Sequence, residues 1–227
     1  MEWRVENARK SDWGRVREIC VQTSPAVQAL IGKRRKFFED FWIEPYQLLR
    51  PDWTWVLRSE NDGRVLGYLT AAPDTVRFCR QRAWLNRTRL LCRWILGRYG
   101  KVTPELRRWL RRSVHLDPHP EKVFGKDVEV ELARKFPAHL HMNLDPAAQG
   151  KGGGRLLLQA LDQKMRQERI SGVHLFCWTS PVGFYERCGF QVRGRKILPG
   201  TTTEVLVMVR ALGSSVLSSN VISSSGS

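Results

Sequence analysis

Residues 138–158 read AHLHMNLDPAAQGKGGGRLLL, and this stretch decides the fold. Apolar and polar side chains alternate from Ala138 to Leu144, which predicts a strand. Four glycines then lead into leucines spaced along one face of a helix. Glycine lets the chain turn with positive φ and leaves backbone N–H groups open to a ligand, and a helix N-terminus attracts negative charge. The stretch therefore predicts a phosphate or pyrophosphate site between a strand and a helix.

Two other glycine-rich phosphate motifs fit this loop poorly. GKGGG lacks the Gly-Lys-Ser/Thr of a Walker A loop, and its glycines do not give the G-x-G-x-x-G spacing of a dinucleotide site. A dinucleotide fingerprint also belongs near the first strand, whereas this loop follows a late one. The remaining alternative is a flexible turn that binds nothing.

The rest of the chain predicts strands and helices on both sides of this stretch. Patterning and turn residues predict strands at 3–7, 53–58, 64–70, 173–178, 191–198 and 202–210, and helices after Ser11 or Asp12, over about 26–49, and after Ser180 as N-cap. Residues 77–135 are interpreted as a basic helical insertion with a loop at 114–127, and 213–227 as a Ser-rich tail. The order predicts one mixed α/β (α+β) domain over residues 1–212.

The net charge of +16 is concentrated in one segment. Residues 77–112 contain twelve Arg or Lys and one acid, Glu105, for a net charge of +11. Such a basic surface is typical of proteins that bind polyanions: RNA, the ribosome, DNA or an acidic protein. The alternative is that these residues line the solvated faces of helices, since no nucleic-acid-binding motif accompanies them.

Cysteine usage and hydropathy bear on the compartment. The five cysteines are scattered, odd in number and without a CxxC pair, which favours reduced thiols over a disulfide framework or a zinc site. The N-terminus lacks the apolar segment of a secretory signal, and no apolar run is long enough to span a bilayer. We therefore expect a cytoplasmic protein with no membrane partner and no metal.

Three motifs in this order resemble one enzyme superfamily. The loop Gln149-Gly150-Lys151-Gly152-Gly153-Gly154 resembles the Q/R-x-x-G-x-G/A loop of the GCN5-related N-acetyltransferases (GNAT). FYERCGF at 184–190 and DGRVLGYLTAAPDT at 62–75 resemble two further elements of that family. Within it, PAHLHMNLDPAAQGKG and GYLTAAPDT are most similar to bacterial acetyltransferases akin to the acetyltransferase-like domain of O-GlcNAcase. The resemblance implies the GNAT fold, a mostly antiparallel sheet of about seven strands flanked by about four helices.

The resemblance also implies acetyl-CoA as co-substrate. Its pyrophosphate would be held by the backbone around the loop, which comprises Gln149, Gly150, Lys151, Gly152, Gly153, Gly154 and Arg155. The end of the preceding strand, Met142, Asn143 and Leu144, would pair with the pantetheine arm, and a backbone N–H there would stabilise the oxyanion. The Asn that the family usually places after the next strand is missing. In this chain the connection after that strand is shorter than in the family, and it contains Ser180. Ser180 is either a cofactor contact or a helix cap only.

Tyr185 is the candidate acid. In the family, the Tyr of the FYExxGF element commonly reaches the CoA sulfur, and a phenol with a pKa of about 10 is protonated at neutral pH. The alternative role for Tyr185 is aromatic packing at a helix start.

The candidate bases are His139 and His141, which share a strand face because they are two residues apart. The pair resembles the AHLH of serotonin N-acetyltransferase, whose histidines relay a proton through water. Counted from Leu144, the histidines stand one residue closer to the loop, which reverses the face of a regular strand. A bulge would restore it. The alternative is a pair of hydrogen-bonded structural histidines.

Several other groups are weaker candidates. Glu129 and Glu131 are alternative bases or strand-edge residues, and a metal set of His139, His141 and His115 or His119 lacks a third ligand fixed by spacing. Asp74 is a candidate acceptor contact, since the family meets the acceptor near that hairpin, and its alternative role is an N-cap. Cys177 and Cys188 are interpreted as core thiols.

These observations predict an acetyl-CoA-dependent N-acetyltransferase. The acetyl group would pass by direct attack to an amine of a small molecule or a protein, in a monomer or homodimer. The alternatives are a catalytically silent GNAT-like binding domain and a polyanion-binding protein acting through residues 77–112.

Overall fold

The computed structural model describes residues 2–24, 33–99, 124–197, 202 and 204–213. Its strands are β1 Trp3–Asn7, β2 Thr54–Ser59, β3 Val65–Ala72, β4 Ala138–Leu144, β5 Gly172–Cys177, β6 Gln191–Ile197 and β7 Glu204–Ala211. Its helices are α1 Trp13–Gln22, α2 Lys33–Trp42, α3 Glu44–Leu49, α4 Thr75–Leu85, the π-helical segment Asn86–Leu90, α5 Leu91–Ile95, α6 Lys126–Lys135, α7 Gly153–Gln167 and α8 Val182–Arg187. No helix of the described residues is long and apolar enough to cross a bilayer.

The strands form one seven-stranded sheet in the order β1-β2-β3-β4-β5-β7-β6. Only β4 and β5 are parallel, and every other neighbouring pair is antiparallel. The prediction of a mixed, mostly antiparallel sheet of about seven strands is confirmed.

The centre of the sheet is open along one edge of β4. β4 and β5 pair at Ala138–Val173 and His139–His174, and no further pair joins them in the described part of the chain. Beyond that point residues 140–144 of β4 face residues 175–177 of β5 without a hydrogen-bonded ladder. We call this gap the slot.

Alternate side chains of β4 enter two different cores. Leu140, Met142 and Leu144 pack in the cluster that contains Leu157 and Leu161 of α7. The opposite face of the sheet carries the cluster built by α1, α3 and the start of α4, which includes Val16, Ile19, Tyr46 and Phe78. A ligand in the slot would therefore be flanked by α7 on one side and by α1, α3 and α4 on the other.

Three local expectations are corrected. The helix expected over 26–49 is two helices, because α3 starts afresh at Glu44 with Pro45 in its first turn; 25–32 lies outside the described residues. Asp12 stands at the N-cap of α1, but its carboxylate bonds to Arg58 and to the backbone N–H of Arg9 instead of capping that helix. Glu129 and Glu131 lie on helix α6 and not at a strand edge.

The insertion is helical where it is described. α4, the π-helical segment and α5 cover its first part, and α6 covers its last part. Residues 100–123 lie outside the described residues, and with them part of the basic run, most of the expected 114–127 loop, His115 and His119. The tail after Gly213 lies outside them as well.

Candidate active site

The glycine loop uses its four glycines in two ways. Gly150 and Gly152 have φ of 71° and 91°, a left-handed backbone that favours glycine. Gly153 and Gly154 are needed for close packing instead. A Cβ on Gly153 would lie 3.1 Å from the Trp3 ring, and one on Gly154 would lie 2.8 Å from Phe184 Cζ.

The backbone of this loop presents free donors. Among the described residues, no hydrogen-bond acceptor is found for the N–H groups of Gly150, Lys151 and Gly152. They precede α7, a helix of 15 residues whose first N–H groups point the same way and whose dipole is positive at that end. The arrangement can bind a phosphate or pyrophosphate without rearranging.

Side chains of the loop hold its shape. Lys151 Nζ donates to the Ala147 carbonyl at 2.8 Å, and Gln149 Nε2 donates to the Leu144 carbonyl at 3.0 Å. Gln149 therefore ties the loop to the end of β4, beside the slot.

Arg15 of α1 anchors the entry to the loop, a role that the sequence did not indicate. Its guanidinium pairs with the Asp145 carboxylate and donates to the Val65 carbonyl at 3.2 Å. Asp145 in turn accepts from the Ala147 N–H at 2.9 Å. An arginine 130 positions from its partner gives no local signal, so only the fold reveals this contact.

Tyr185 lies on α8, buried beside Phe184 and Phe190 at ring distances of 5.1 and 5.4 Å. Burial, and then the neighbouring thiols Cys177 and Cys188, raise the pKa of Tyr185. No described residue hydrogen bonds to its hydroxyl. Because its pKa is raised, the phenol is protonated at neutral pH, and it belongs to the same buried cluster as Cys177, the last residue of β5.

Ser180 does not cap α8. The helix starts at Val182 with Pro181 as N-cap and without a side-chain cap bond, and Ser180 is exposed. The predicted cap is wrong, which leaves the Ser180 hydroxyl available to a ligand.

His139 and His141 face away from α7. β4 pairs with β3 in unbroken register from Ala72–His139 to Gly67–Leu144, so the bulge that would have turned the histidines is not present. Since Leu144 packs on the α7 side, alternation places both histidines on the opposite face.

The ring of His139 is held at both nitrogens. Thr75 donates its hydroxyl to the Pro137 carbonyl at 2.8 Å, so its oxygen accepts from His139 Nδ1 at 2.9 Å. Nε2 then carries the lone pair and accepts from the Tyr46 hydroxyl at 2.8 Å. These bonds fit a neutral imidazole.

His141 belongs to a second network. The Asn143 amide nitrogen donates to His141 Nε2 at 2.8 Å and to the Tyr68 hydroxyl at 2.9 Å, and Tyr68 is hydrogen bonded to Cys20. The His141 ring stacks on Tyr68 at 5.8 Å. His141 is partly exposed, as is His139.

Burial keeps the histidines neutral. It lowers the pKa of His141 to about 4, with a further contribution from the positive charge of Arg82. Burial, followed by the charges of His174 and Arg82, sets the pKa of His139 well below its usual value. Both rings are therefore neutral at neutral pH and bind a proton weakly, and the unprotonated nitrogen of each accepts a hydrogen bond, from Tyr46 in His139 and from Asn143 in His141.

The other candidates lie further from this chemistry. Asp74 is the N-cap of α4 and accepts from the Arg77 N–H at 2.9 Å. Glu131 is paired with Arg193 on the protein surface. Burial raises the pKa of Cys177 to about 11, which argues against a thiolate nucleophile. No cluster of metal-ligating side chains is found among the residues that the structure describes.

Comparison with known proteins shows which proteins this site is similar to. Residues 122–192 match the family described as "Acetyltransferase (GNAT) domain", a range that includes β4, the glycine loop, α7, β5 and Tyr185. The crystal structure of SsHAT is similar with a TM-score of 0.66 at 27% sequence identity, over 93% of this chain and 99% of that one. The region of the site is therefore similar to the GNAT acetyltransferase domain.

Two more distant structures share the fold. A GCN5-related N-acetyltransferase from Kribbella flavida has a TM-score of 0.52 at 16% identity, over 92% of this chain and 98% of that one. The structure of yncA from Salmonella typhimurium with its cofactor acetyl-CoA has a TM-score of 0.51 at 17% identity, over 92% of this chain and 94% of that one. The predicted GNAT fold is thereby confirmed.

Proposed function

We propose that this protein is an acetyl-CoA-dependent N-acetyltransferase that transfers acetyl to an amine by direct attack. The observation that carries the proposal is the slot between β4 and β5 with the donor-rich glycine loop beside it. The loop suits a pyrophosphate, and the slot offers unpaired backbone groups of 140–144 to an extended arm. Acetyl-CoA combines both features, and it supplies an activated acetyl group.

The location of each residue then determines its proposed role. Backbone N–H groups from Gly150 to Gly154 bind the pyrophosphate, whereas that of Arg155 already donates to the Gly152 carbonyl at 3.0 Å. Ser180 is a further contact. Met142, Asn143 and Leu144 lie along the pantetheine arm, and an amide N–H of these residues that faces the slot stabilises charge developing on the carbonyl oxygen. Asp74, whose carboxylate also caps α4, is the proposed contact to the acceptor.

Acid and base stand on opposite faces of the sheet. Tyr185, on the α7 side, donates a proton to the departing sulfur. His141, on the other side, receives the proton of the incoming amine at Nε2. Asn143 supports both states of that nitrogen, because its amide presents a donating nitrogen and an accepting oxygen. His139 is a positioning residue behind His141, since both of its ring nitrogens are hydrogen bonded.

The finer assignments rest on sequence features. PAHLHMNLDPAAQGKG and GYLTAAPDT favour a bacterial enzyme akin to the acetyltransferase-like domain of O-GlcNAcase. Five free thiols among the described residues favour the reducing cytoplasm. The positive charge disfavours polyamine acceptors, because like charges oppose their approach.

Two measurements test the proposal. The first is a thiol-release assay with acetyl-CoA and a panel of amines, and the second is thermal melting of the protein with and without acetyl-CoA. We expect acetyl-CoA to raise the melting temperature and at least one amine to release free CoA. Tyr185→Phe keeps the ring and removes the hydroxyl, so turnover should fall about 100-fold while acetyl-CoA still stabilises the protein.

Tyr99→Phe is the matched control. Tyr99 is also buried, but its hydroxyl donates to Asp40 of α2, which is not one of the proposed site residues. Its turnover per folded molecule should equal that of the wild type. Stabilisation by acetyl-CoA without release from any amine would favour the silent binding domain. Equal rates for Tyr185→Phe and wild type would refute the acid assignment.

A further inference from the structure

The stretch from α4 to α5 exposes large apolar side chains to solvent. Trp84, Leu91, Ile95 and Leu96 are 69%, 54%, 75% and 76% exposed. Leu91 and Ile95 are four residues apart on α5 and are neighbours on its surface, with Leu96 at its end. We call these four residues, with Arg80 and Arg87, the outer face.

The buried side of the same stretch carries charge. Arg93 is bonded to Glu44 at 2.5 and 2.7 Å and to Asp40 at 2.9 Å. The Arg82 guanidinium is buried over the rings of Phe41 and Trp42 at 5.4 and 5.7 Å. A surface helix usually buries its apolar residues and exposes its charges. Here two arginines lie on the inner side and four large apolar side chains are exposed, so a simple division into a buried apolar face and an exposed charged face does not describe this stretch.

Four exposed arginines around the outer face form no ion pair with the residues that the structure describes. Residues 75–99 contain seven arginines and no Asp or Glu. Arg77, Arg80, Arg87 and Arg98 are exposed and form no ion pair with any residue that the structure describes. The outer face therefore combines aromatic and aliphatic side chains with uncompensated positive charge.

This combination discriminates between partners. Nucleic acid would pair with the arginines and stack on Trp84, but it offers no apolar medium for Leu91, Ile95 and Leu96. A second copy would cover the apolar residues, but it would bring arginines against arginines. A bilayer surface with anionic lipids satisfies both, because the apolar residues enter the acyl boundary while the arginines contact phosphates.

We propose that the outer face binds an anionic lipid surface, with residues 80–98 lying in the plane of the interface. The expectation of no membrane partner rested on the lack of an apolar run that could span a bilayer. Binding to the surface of a bilayer does not need a spanning segment. It depends on which side chains are exposed, and only the structure shows this.

The test is co-sedimentation of the full chain with lipid vesicles. We expect binding to vesicles with about a third anionic lipid, little binding to purely zwitterionic vesicles, and weaker binding as salt increases. Leu91→Ser combined with Ile95→Ser should lower the partition coefficient about tenfold, and so should Arg80→Gln combined with Arg87→Gln. All four positions are exposed, so the variants should melt like the wild type.

Val130→Ser combined with Ile197→Ser is the matched control, because these residues are 57% and 61% exposed elsewhere on the surface. That variant should bind like the wild type. The proposal fails if anionic vesicles do not sediment the protein, or if the control loses as much binding as the Leu91/Ile95 variant. It also fails if that variant instead dissociates a wild-type dimer, or if single-stranded RNA binds through the arginines and vesicles do not compete.

Discussion

Both nitrogens of the His139 ring are hydrogen bonded, whereas His141 is bonded through one nitrogen only, to Asn143, among the residues that the structure describes. Matched substitutions should separate the two roles. His139→Ala removes the ring that is hydrogen bonded to Tyr46 and Thr75, and it should lower the free energy of unfolding by about 2–4 kcal/mol. His141→Ala should destabilise less and reduce turnover more.

Urea unfolding and thiol release, measured on the same preparations, distinguish these effects. A His139→Ala protein that is as stable as wild type but inactive would make His139 the base instead. Since the pKa of His141 is lowered to about 4, wild-type turnover should not lose its base above that pH. An acid limb in kcat near pH 7 would contradict the assignment.

At the scale of the element, the N-terminus of α7 depends on a glycine with no room beside it. A Cβ at Gly153 would contact Leu57 and lie 3.1 Å from Trp3 and 3.2 Å from Leu144, so no single neighbour can move aside freely. Gly153→Ala should therefore lower the free energy of unfolding by about 1–3 kcal/mol and weaken acetyl-CoA binding.

Gly14→Ala is the helical control. A Cβ at Gly14 on α1 meets nothing within 4 Å, so the substitution should leave stability unchanged or raise it by about 0.5–1 kcal/mol. Chemical denaturation of the two variants is the measurement. Equal stability of both would mean that the α7 start tolerates a side chain.

The bounds of a helix or strand could be predicted from the sequence where they depend on neighbouring residues alone. Trp3–Asn7 and Ala138–Leu144 have the predicted bounds, because alternation and flanking polar residues are local properties. The glycine loop was recognisable for the same reason. The position of Ser180 was not, since Pro181 takes the cap and the helix starts one residue later.

The remaining site features depend on tertiary pairing. Whether His141 faces α7 is decided by the register of β4 against β3, and the sequence left a bulge as an open alternative. The Arg15–Asp145 pair and the Thr75–His139–Tyr46 chain join residues that are far apart in sequence. The outer face likewise has a helical pattern that predicts burial, and only its surroundings reveal exposure.

Across the whole molecule, three buried histidines make the fold sensitive to acid. The pKa of His141 and that of His174 are lowered to about 4, and that of His139 is lowered as well, in each case chiefly by burial. In the unfolded chain all three titrate near pH 6.5. The unfolded state therefore binds more protons below that pH, and stability is present above pH 6.5 and lost as the pH falls toward 4.

We expect the free energy of unfolding to be nearly constant between pH 8 and 7. Below about pH 6 it should fall by up to about 1.4 kcal/mol per pH unit for each histidine. His174→Gln, which cannot titrate, should reduce this slope by about a third. Urea titrations across the pH range measure it, and a flat profile down to pH 4.5 would contradict the prediction.

Amide hydrogen exchange should divide β4 residue by residue. Along 140–144, alternate N–H groups point to β3, where they are bonded, and to the slot, where β5 offers no ladder. A strand at the centre of the sheet should thus exchange like an edge strand at every second position. An extended ligand in the slot would slow those positions alone, so the exchange pattern of one strand would report whether the sheet is split or bridged.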